Sequence, residues 1–394
     1  MRVAVVCTDP GIPVIGRKGA SVHLQAVLRV LVADGHEVHL LSPRPGGAPP
    51  AGVRLHGLPP VTGRDGDRER SAQACDAAVG ACLDRIGPDL VYERYSLWGR
   101  TATAWAQAAG VPSVLEVNAP LPREQATHRS LADRAGAEAV AGAALSAATA
   151  VVCVSDAVAD WARSRSGRPD RVHTEPNGVD VDRVRPAAGP VTPASGTPFT
   201  VGFVGTLKLW HGVETLVEAV AALTAQDPTW RLLLVGDGPT ATALLARAAE
   251  LGVAVEATGS LPPEDVPAQL HRMDVGVAPY PADADSYFSP LKVYEYLAAG
   301  LPVVASRVGQ LPAVLGSGPG GRPLGVLVPP GDAVALAAAL VSLRGDPDAR
   351  TRLRADGRAA AVARHAWRDV VRRSLAHALG TPAGPVRAVP GGPR

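Results

Sequence analysis

Short apolar runs alternate with longer stretches in which apolar residues recur every three or four positions. The runs "VAVVC", "EVHLLS", "LVYER", "SVLEVN" and "AVVCVS" predict buried strands, and stretches such as "SVHLQAVLRVLVADG" between them predict helices packed on a sheet. This alternation builds βαβ units with parallel strands, so an α/β fold is expected. After "EPNGVDVDRVRP" it gives way to a proline-, glycine- and threonine-containing stretch, 186–198, with the composition of a linker. It resumes with "TVGFVGTL", "RLLLVGDG", "VEATGS", "VGVAPY" and "PVVAS". Two doubly wound, Rossmann-like domains are therefore expected, over 1–185 and 199–346. Helices follow over 347–380, and the tail 381–394 reads as disordered. The last helical part, "AWRDVVRRSLAHAL", is amphipathic with a basic face and reads as a solvated face or a brace between the domains, not a membrane contact.

Composition narrows the chemistry. A net charge of +2 with no dense basic stripe argues against a nucleic-acid partner. Cys7, Cys75, Cys82 and Cys153 lack metal-ligand spacing and read as reduced thiols of a cytoplasmic protein. No run reaches the roughly 18 apolar residues of a membrane span. Among 39 basic residues only three are lysines, Lys18, Lys208 and Lys292, and each sits at a glycine- or proline-marked strand-to-helix connection. Such positions suit a compact ammonium meeting phosphate or sugar oxygens.

Lys292 lies in "SPLKVYEYLAAGLPVVAS", where Ser289 and Pro290 read as the N-cap and first residue of a helix that Gly300 and Pro302 stop. Lys292 and Glu295, spaced i, i+3, share a helix face. Two readings fit. They form a surface ion pair, or a diphosphate rests on Ser289, the helix-start N–H groups and Lys292 while Glu295 accepts the hydroxyls of the attached ribose.

In parallel sheets ligands bind beyond the carboxyl ends of the strands. Candidate loops there carry Gly16, Lys18, Gly19 and Ser21; Glu93, Arg94 and Tyr95; Glu116 and Asn118; Gly205, Thr206, Lys208 and His211; Gly236; and Gly259, Ser260 and Leu261. A full dinucleotide fingerprint is absent, which disfavours a redox enzyme. The pairs Asp180/Asp182 and Asp283/Asp285 have metal-compatible spacing, but cationic side chains and a helix end supply the same neutralisation, so no metal is expected.

With "VSDAVADW", "EPNGVDVDRVRP", "GFVGTLKLWHGVETLVEA", "LLLVGDGP" and "SPLKVYEYLAAGLPVVAS" in this order, the chain resembles the GT-B glycosyltransferases of family 4, in a subgroup with an SPLK-type motif. The resemblance implies two Rossmann-like domains facing across a central cleft. It implies retaining, metal-independent hexosyl transfer from a UDP- or GDP-sugar, the only cosubstrate required, to a small-molecule or glycan acceptor. The arginine-for-lysine and alanine-rich composition suits a high-GC genome and a natural-product setting, with a cell-envelope glycan or lipid-linked sugar transferase as the alternative. By this resemblance Lys208, Lys292, His211 and Asn118 would be catalytic. Glu295 with Gly205, Thr206, Gly236, Gly259, Ser260, Leu261, Tyr287, Ser289, Pro290, Leu291 and Val293 would hold the donor. The acceptor would meet Gly16, Lys18, Gly19, Ser21, Glu93, Arg94, Tyr95 and Glu116. Lys208, Lys292, His211 if it is protonated, and helix amides would stabilise the leaving diphosphate. Four positions depart from the family pattern: Tyr287 replaces a glutamate, Thr206 and His211 fall where arginine and lysine are usual, and Asn118 replaces a histidine. A noncatalytic nucleotide-sugar-binding homologue is the alternative.

Overall fold

The computed structural model describes residues 1–187, 198–282, 287–316 and 318–380. Most of the linker, Asp283, Asp285 and the tail from 381 lie outside the described residues. The chain forms two compact units, one of residues 1–177, 287–289 and 367–380, the other of 178–282 and 290–366.

The first unit runs β1 (Arg2–Val6), α1 (Gly19–Ala33), β2 (Glu37–Ser42), β3 (Val53–Gly57), α2 (Asp65–Ile86), β4 (Leu90–Arg94), α3 (Thr101–Ala109), β5 (Ser113–Val117), α4 (Leu121–His128), α5 (Arg134–Ala147), β6 (Ala150–Cys153), α6 (Asp156–Ser166) and β7 (Val172–Thr174). Its seven strands pair in parallel in the order β3-β2-β1-β4-β5-β6-β7. Central strands β4, β5 and β6 are buried at every position, as expected where helices cover both faces of a sheet.

The second unit runs β8 (Phe199–Val204), α7 (Val213–Thr224), β9 (Trp230–Val235), α8 (Ala241–Glu250), β10 (Val255–Ala257), α9 (Val266–Leu270), β11 (Val275–Ala278), α10 (Leu291–Ala298), β12 (Val303–Ser306), α11 (Leu311–Gly316), β13 (Val326–Val328), α12 (Ala333–Gly345) and α13 (Pro347–Arg364). Its six strands are parallel in the order β10-β9-β8-β11-β12-β13. The last helix, α14 (Trp367–Leu379), returns to the first unit, where the Trp367 ring lies tilted against His23 at 4.4 Å and Arg372 pairs with Asp34. The predicted basic face is thus largely neutralised by that unit's own acids, with Arg373 and His377 both on Glu175.

The first unit ends at Asn177 instead of 185, because residues 178–185 are held by the second. There Val179 N donates to His365 O at 2.7 Å, and Arg358 donates to the carbonyls of Val181 and Val184. All four cysteines are buried and free. Among the described residues no helix is long and apolar enough to cross a membrane.

Candidate functional site

In the second unit the strand order reverses between β8 and β11, so the loops after these strands leave in opposite directions and open a crevice at their carboxyl ends. Helix α10 is fixed there by Tyr296, whose hydroxyl accepts from Val204 N at 2.8 Å and donates to Val277 O at 3.3 Å. Gly276 makes this approach possible, since a Cβ at that position would lie 2.7 Å from the Tyr296 ring. One turn earlier Lys292 points into the crevice and is only 8% exposed. Its ammonium donates to Tyr280 Oη at 3.1 Å and lies 4.8 Å and 5.0 Å from the ring centres of Phe203 and Tyr280. Gly205, at φ +139°, covers the aliphatic stem, and a Cβ there would sit 3.2 Å from Lys292 Cε. Burial pulls the Lys292 pKa down to about 7, with Glu295 opposing. The hydrogen bond goes to Tyr280, not to Glu295, so the surface ion-pair reading does not describe this lysine. Burial raises the Glu295 carboxyl, opposed by Arg183 and Lys292.

His211 contributes differently from expectation. Its Nδ1 lies 2.5 Å from Thr206 O, which places the ring proton on Nδ1. Burial, then the charge of Lys292, holds the imidazole down to about 3, against the pull of the Thr206 carbonyl. His211 is therefore neutral at pH 7 and presents Nε2 as an acceptor for a hydroxyl, so the charge expected of it if protonated is not supplied. Lys208 lies 4.4 Å over the Trp210 ring in the same loop. Gly236, at φ +140°, abuts Gly205, where a Cβ would meet Gly205 O at 2.0 Å, and it bridges to Gly259. The three loop glycines thus converge, with Ser260 and Leu261 following directly. Val293 does not supply a free amide, because its N–H donates to Pro290 O at 3.1 Å.

The first unit reverses its strand order between β1 and β4. Near that point Glu116, 2% exposed, accepts from Tyr92 Oη at 2.5 Å, Arg94 Nη1 at 2.9 Å and Asn118 Nδ2, and pairs with His23 Nε2 at 2.9 Å. Burial alone would raise this carboxyl. His23, Arg94 and Tyr92 outweigh it and hold it well below the usual carboxylate range. Glu116 and Arg94 therefore organise a buried network and do not offer free groups to an acceptor. Asn118, partly exposed, keeps its amide oxygen available. Glu93 is fully buried, with neither carboxyl oxygen hydrogen-bonded among the described residues, and burial followed by Asp76 raises its pKa well above normal. Tyr95 lies in the core 6.0 Å from Trp161, and burial raises its hydroxyl too. Both depart from the expected acceptor contact, because the end of β4 is covered. Ser21 is likewise buried, its hydroxyl donating to Pro13 O at 2.5 Å beside Gly16, whereas exposed Lys18, next to Gly19, donates to Gly11 O at 3.1 Å.

Known proteins carry the same architecture. Sucrose-phosphate synthase of Thermosynechococcus elongatus superposes with a TM-score of 0.69 at 22% identity, covering 94% of this chain and 96% of that one. Anabaena Alr3699/HepE, solved in complex with UDP and glucose, gives 0.70 at 18% identity, covering 97% and 100%. Residues 17–183 match the family described as Glycosyltransferase Family 4, and residues 198–346 the one described as Glycosyl transferases group 1. The chain is a GT-B protein of the group 1/family 4 glycosyltransferase type. Among curated relatives, D-inositol 3-phosphate glycosyltransferase of Corynebacterium efficiens is 32% identical over 220 residues, 52% of this chain and 50% of that protein. This GT-B chain thus spans about half the length of the first relatives it matches. Glycogen synthase of Mycobacterium tuberculosis is 28% identical over 384 residues, 89% and 88% of the two chains.

Two residues assigned to the donor loop of the GT-B chain pack with the first unit. Tyr287 donates from its hydroxyl to Glu124 at 2.8 Å, and its carbonyl accepts from Ser155 Oγ at 2.5 Å. Ser289 is not the helix N-cap. Its Oγ accepts from Asn177 N at 3.0 Å and its carbonyl from Asn177 Nδ2 at 2.8 Å, which leaves Pro290 as the cap of α10. Asp180 caps its own turn through the N–H groups of Asp182 and Arg183. No group of three or more His, Cys, Asp or Glu side chains among the described residues is arranged to hold a metal. Sequence reasoning missed Tyr280 and Phe203 around Lys292, and Tyr92 and His23 around Glu116. Tyr280 was within reach, as the residue that ends the strand-and-exit motif "VGVAPY".

Proposed function

We propose that the chain moves a sugar from a nucleoside diphosphate sugar, UDP- or GDP-linked, to a hydroxyl of a small-molecule or glycan acceptor. In this reading the anomeric configuration is retained and no metal takes part. The observation that carries it is Lys292, an ammonium held between two aromatic rings at the crevice between β8 and β11, one helical turn from a carboxylate. An ammonium so placed has most to gain when a diphosphate arrives, and most to give when that diphosphate becomes the leaving group. Lys208 and the start of α10 add to the same field. Glu295 is the natural acceptor for ribose hydroxyls, and neutral His211 accepts a sugar hydroxyl through Nε2. Gly205, Gly236 and Gly259 bring backbone groups close to the nucleotide. Residues 1–177 form the acceptor domain in this reading, with Asn118 and Lys18 as its accessible polar groups, and 199–346 the donor domain. Relatives named for inositol phosphate and glycogen chemistry support a polyhydroxylated acceptor.

The reading is tested by following nucleotide release from UDP-glucose and GDP-mannose with and without polyol and oligosaccharide acceptors. Lys292→Ala should lower turnover by about 10²-fold or more, the size of a lost oxyanion donor. Glu295→Ala should chiefly weaken donor affinity. Donor binding without nucleotide release under any condition would place the chain among noncatalytic homologues.

A further inference from the structure

Of the three lysines only Lys292 is buried. A buried ammonium keeps its proton when a carboxylate or several acceptors compensate its lost hydration. Lys292 has one phenol oxygen and two ring faces. The other groups around the crevice do little to hold the charge. From the loop after β8 come His211, neutral, and Lys208, positive. From α10 comes Glu295, one turn away and itself opposed by burial, with Arg183 acting on it from the other side. Tyr296 has its hydroxyl committed to Val204 and Val277. Burial accordingly brings Lys292 to about 7, so its side chain is a mixture of ammonium and free amine at neutral pH.

Tyr280 has the chemistry to bond both forms. Its hydroxyl oxygen accepts from the ammonium, and its O–H donates to the neutral amine. A diphosphate, by contrast, is stabilised only by the charged form. We infer that binding of a nucleoside diphosphate at this crevice takes up a proton from solvent onto Lys292 Nζ, with Tyr280 as the positioning residue that holds the amine in line before and after. No covalent bond is made or broken between heavy atoms; a solvent proton becomes the third N–H of the ammonium. The inference rests on the nucleotide-binding reading above, and it makes donor affinity fall as pH rises through neutrality.

Isothermal titration of the full chain with UDP and with GDP, in buffers of differing ionisation enthalpy, counts the protons taken up by Lys292 once those released by the nucleotide's own terminal phosphate, whose second pKa is about 6, are subtracted as measured with Lys292→Arg. With the free lysine near 7, uptake should be about three quarters of a proton at pH 7.5 and about a tenth at pH 6.0. Lys292→Arg, which cannot lose its proton at these pH values, should bind without the pH-dependent uptake. If the wider guanidinium disrupts the fold beside Gly205, Lys292→Gln serves instead and should bind more weakly, again without uptake. Tyr280→Phe keeps the ring but removes the oxygen that favours the ammonium. It should therefore shift the alkaline limb of affinity toward acid and increase uptake per nucleotide at pH 7.5, a change that loss of packing alone does not produce. His211→Asn should leave the uptake in place. Uptake that is independent of pH, or that survives in Lys292→Arg, would overturn the inference while leaving nucleotide binding intact. Absence of UDP and GDP binding even at pH 6.0 would overturn the nucleotide-site reading, and this inference with it.

Discussion

Glu93 shows how far a single side chain departs from its usual chemistry when a strand end is covered. It is fully buried at the end of β4, and Asp76 adds negative potential from α2. Both effects raise its pKa above the unfolded value, so the folded chain holds a proton that the unfolded chain releases above about pH 4.5. Stability from this group is complete below that pH and is lost as pH rises toward the folded pKa, at up to roughly 1.4 kcal/mol per pH unit. Glu93→Gln carries no such proton. Denaturant unfolding should show the variant gaining on the wild type as pH rises above the unfolded carboxyl pKa. A pH-independent difference would mean that Glu93 is ionised or hydrated in the fold. Glu116, two residues before Asn118, shows the opposite case. Buried as deeply, it stays ionised because His23, Arg94 and Tyr92 surround it.

Among elements, α14 combines two kinds of contact whose worth differs. Trp367 is 6% exposed and packs against the ring of His23, which in turn pairs with Glu116. Trp367→Ala should cost about 3 kcal/mol or more in denaturant unfolding, the range for a large buried aromatic. Asp34→Ala breaks the pair with Arg372, whose side chain is half exposed, and should cost under about 1 kcal/mol. A reversed order would mean that electrostatics and not packing docks the helix. Element by element, what the hydrophobic pattern reveals depends on position in the sheet. All ten predicted strands are present. The three it does not announce, β3, β7 and β13, are sheet edges, where a strand is short or has one side in water and apolar alternation fades. The helix holding Lys292 and Glu295 was legible from its stop signals and spacing. Its cap was not, because Ser289 bonds to Asn177, 112 positions away in sequence. Nor did local pattern place Tyr287 with the first unit, or reveal the Phe203 ring beside Lys292, since those contacts join elements distant along the chain.

For the whole molecule, the two units are not two consecutive halves of the chain. The first is completed by residues from 367 on, so a chain ending at Ala366 lacks a part of the first unit and none of the described part of the second. That truncation should retain UDP or GDP affinity while amides of α1 and β5, which pack against α14, lose protection in hydrogen exchange. Loss of nucleotide affinity with unchanged exchange in α1 and β5 would contradict this division. The scarcity of lysine gives the crevice a further character. An ordinary lysine at neutral pH presents about one free amine in several thousand molecules. Lys292, brought to about 7, presents nearly one in two. A free amine condenses with an aldehyde, losing water to form a Schiff base. In a protein proposed to handle activated sugars, the amine that receives the diphosphate is thus also one able to condense with a reducing sugar phosphate small enough to enter.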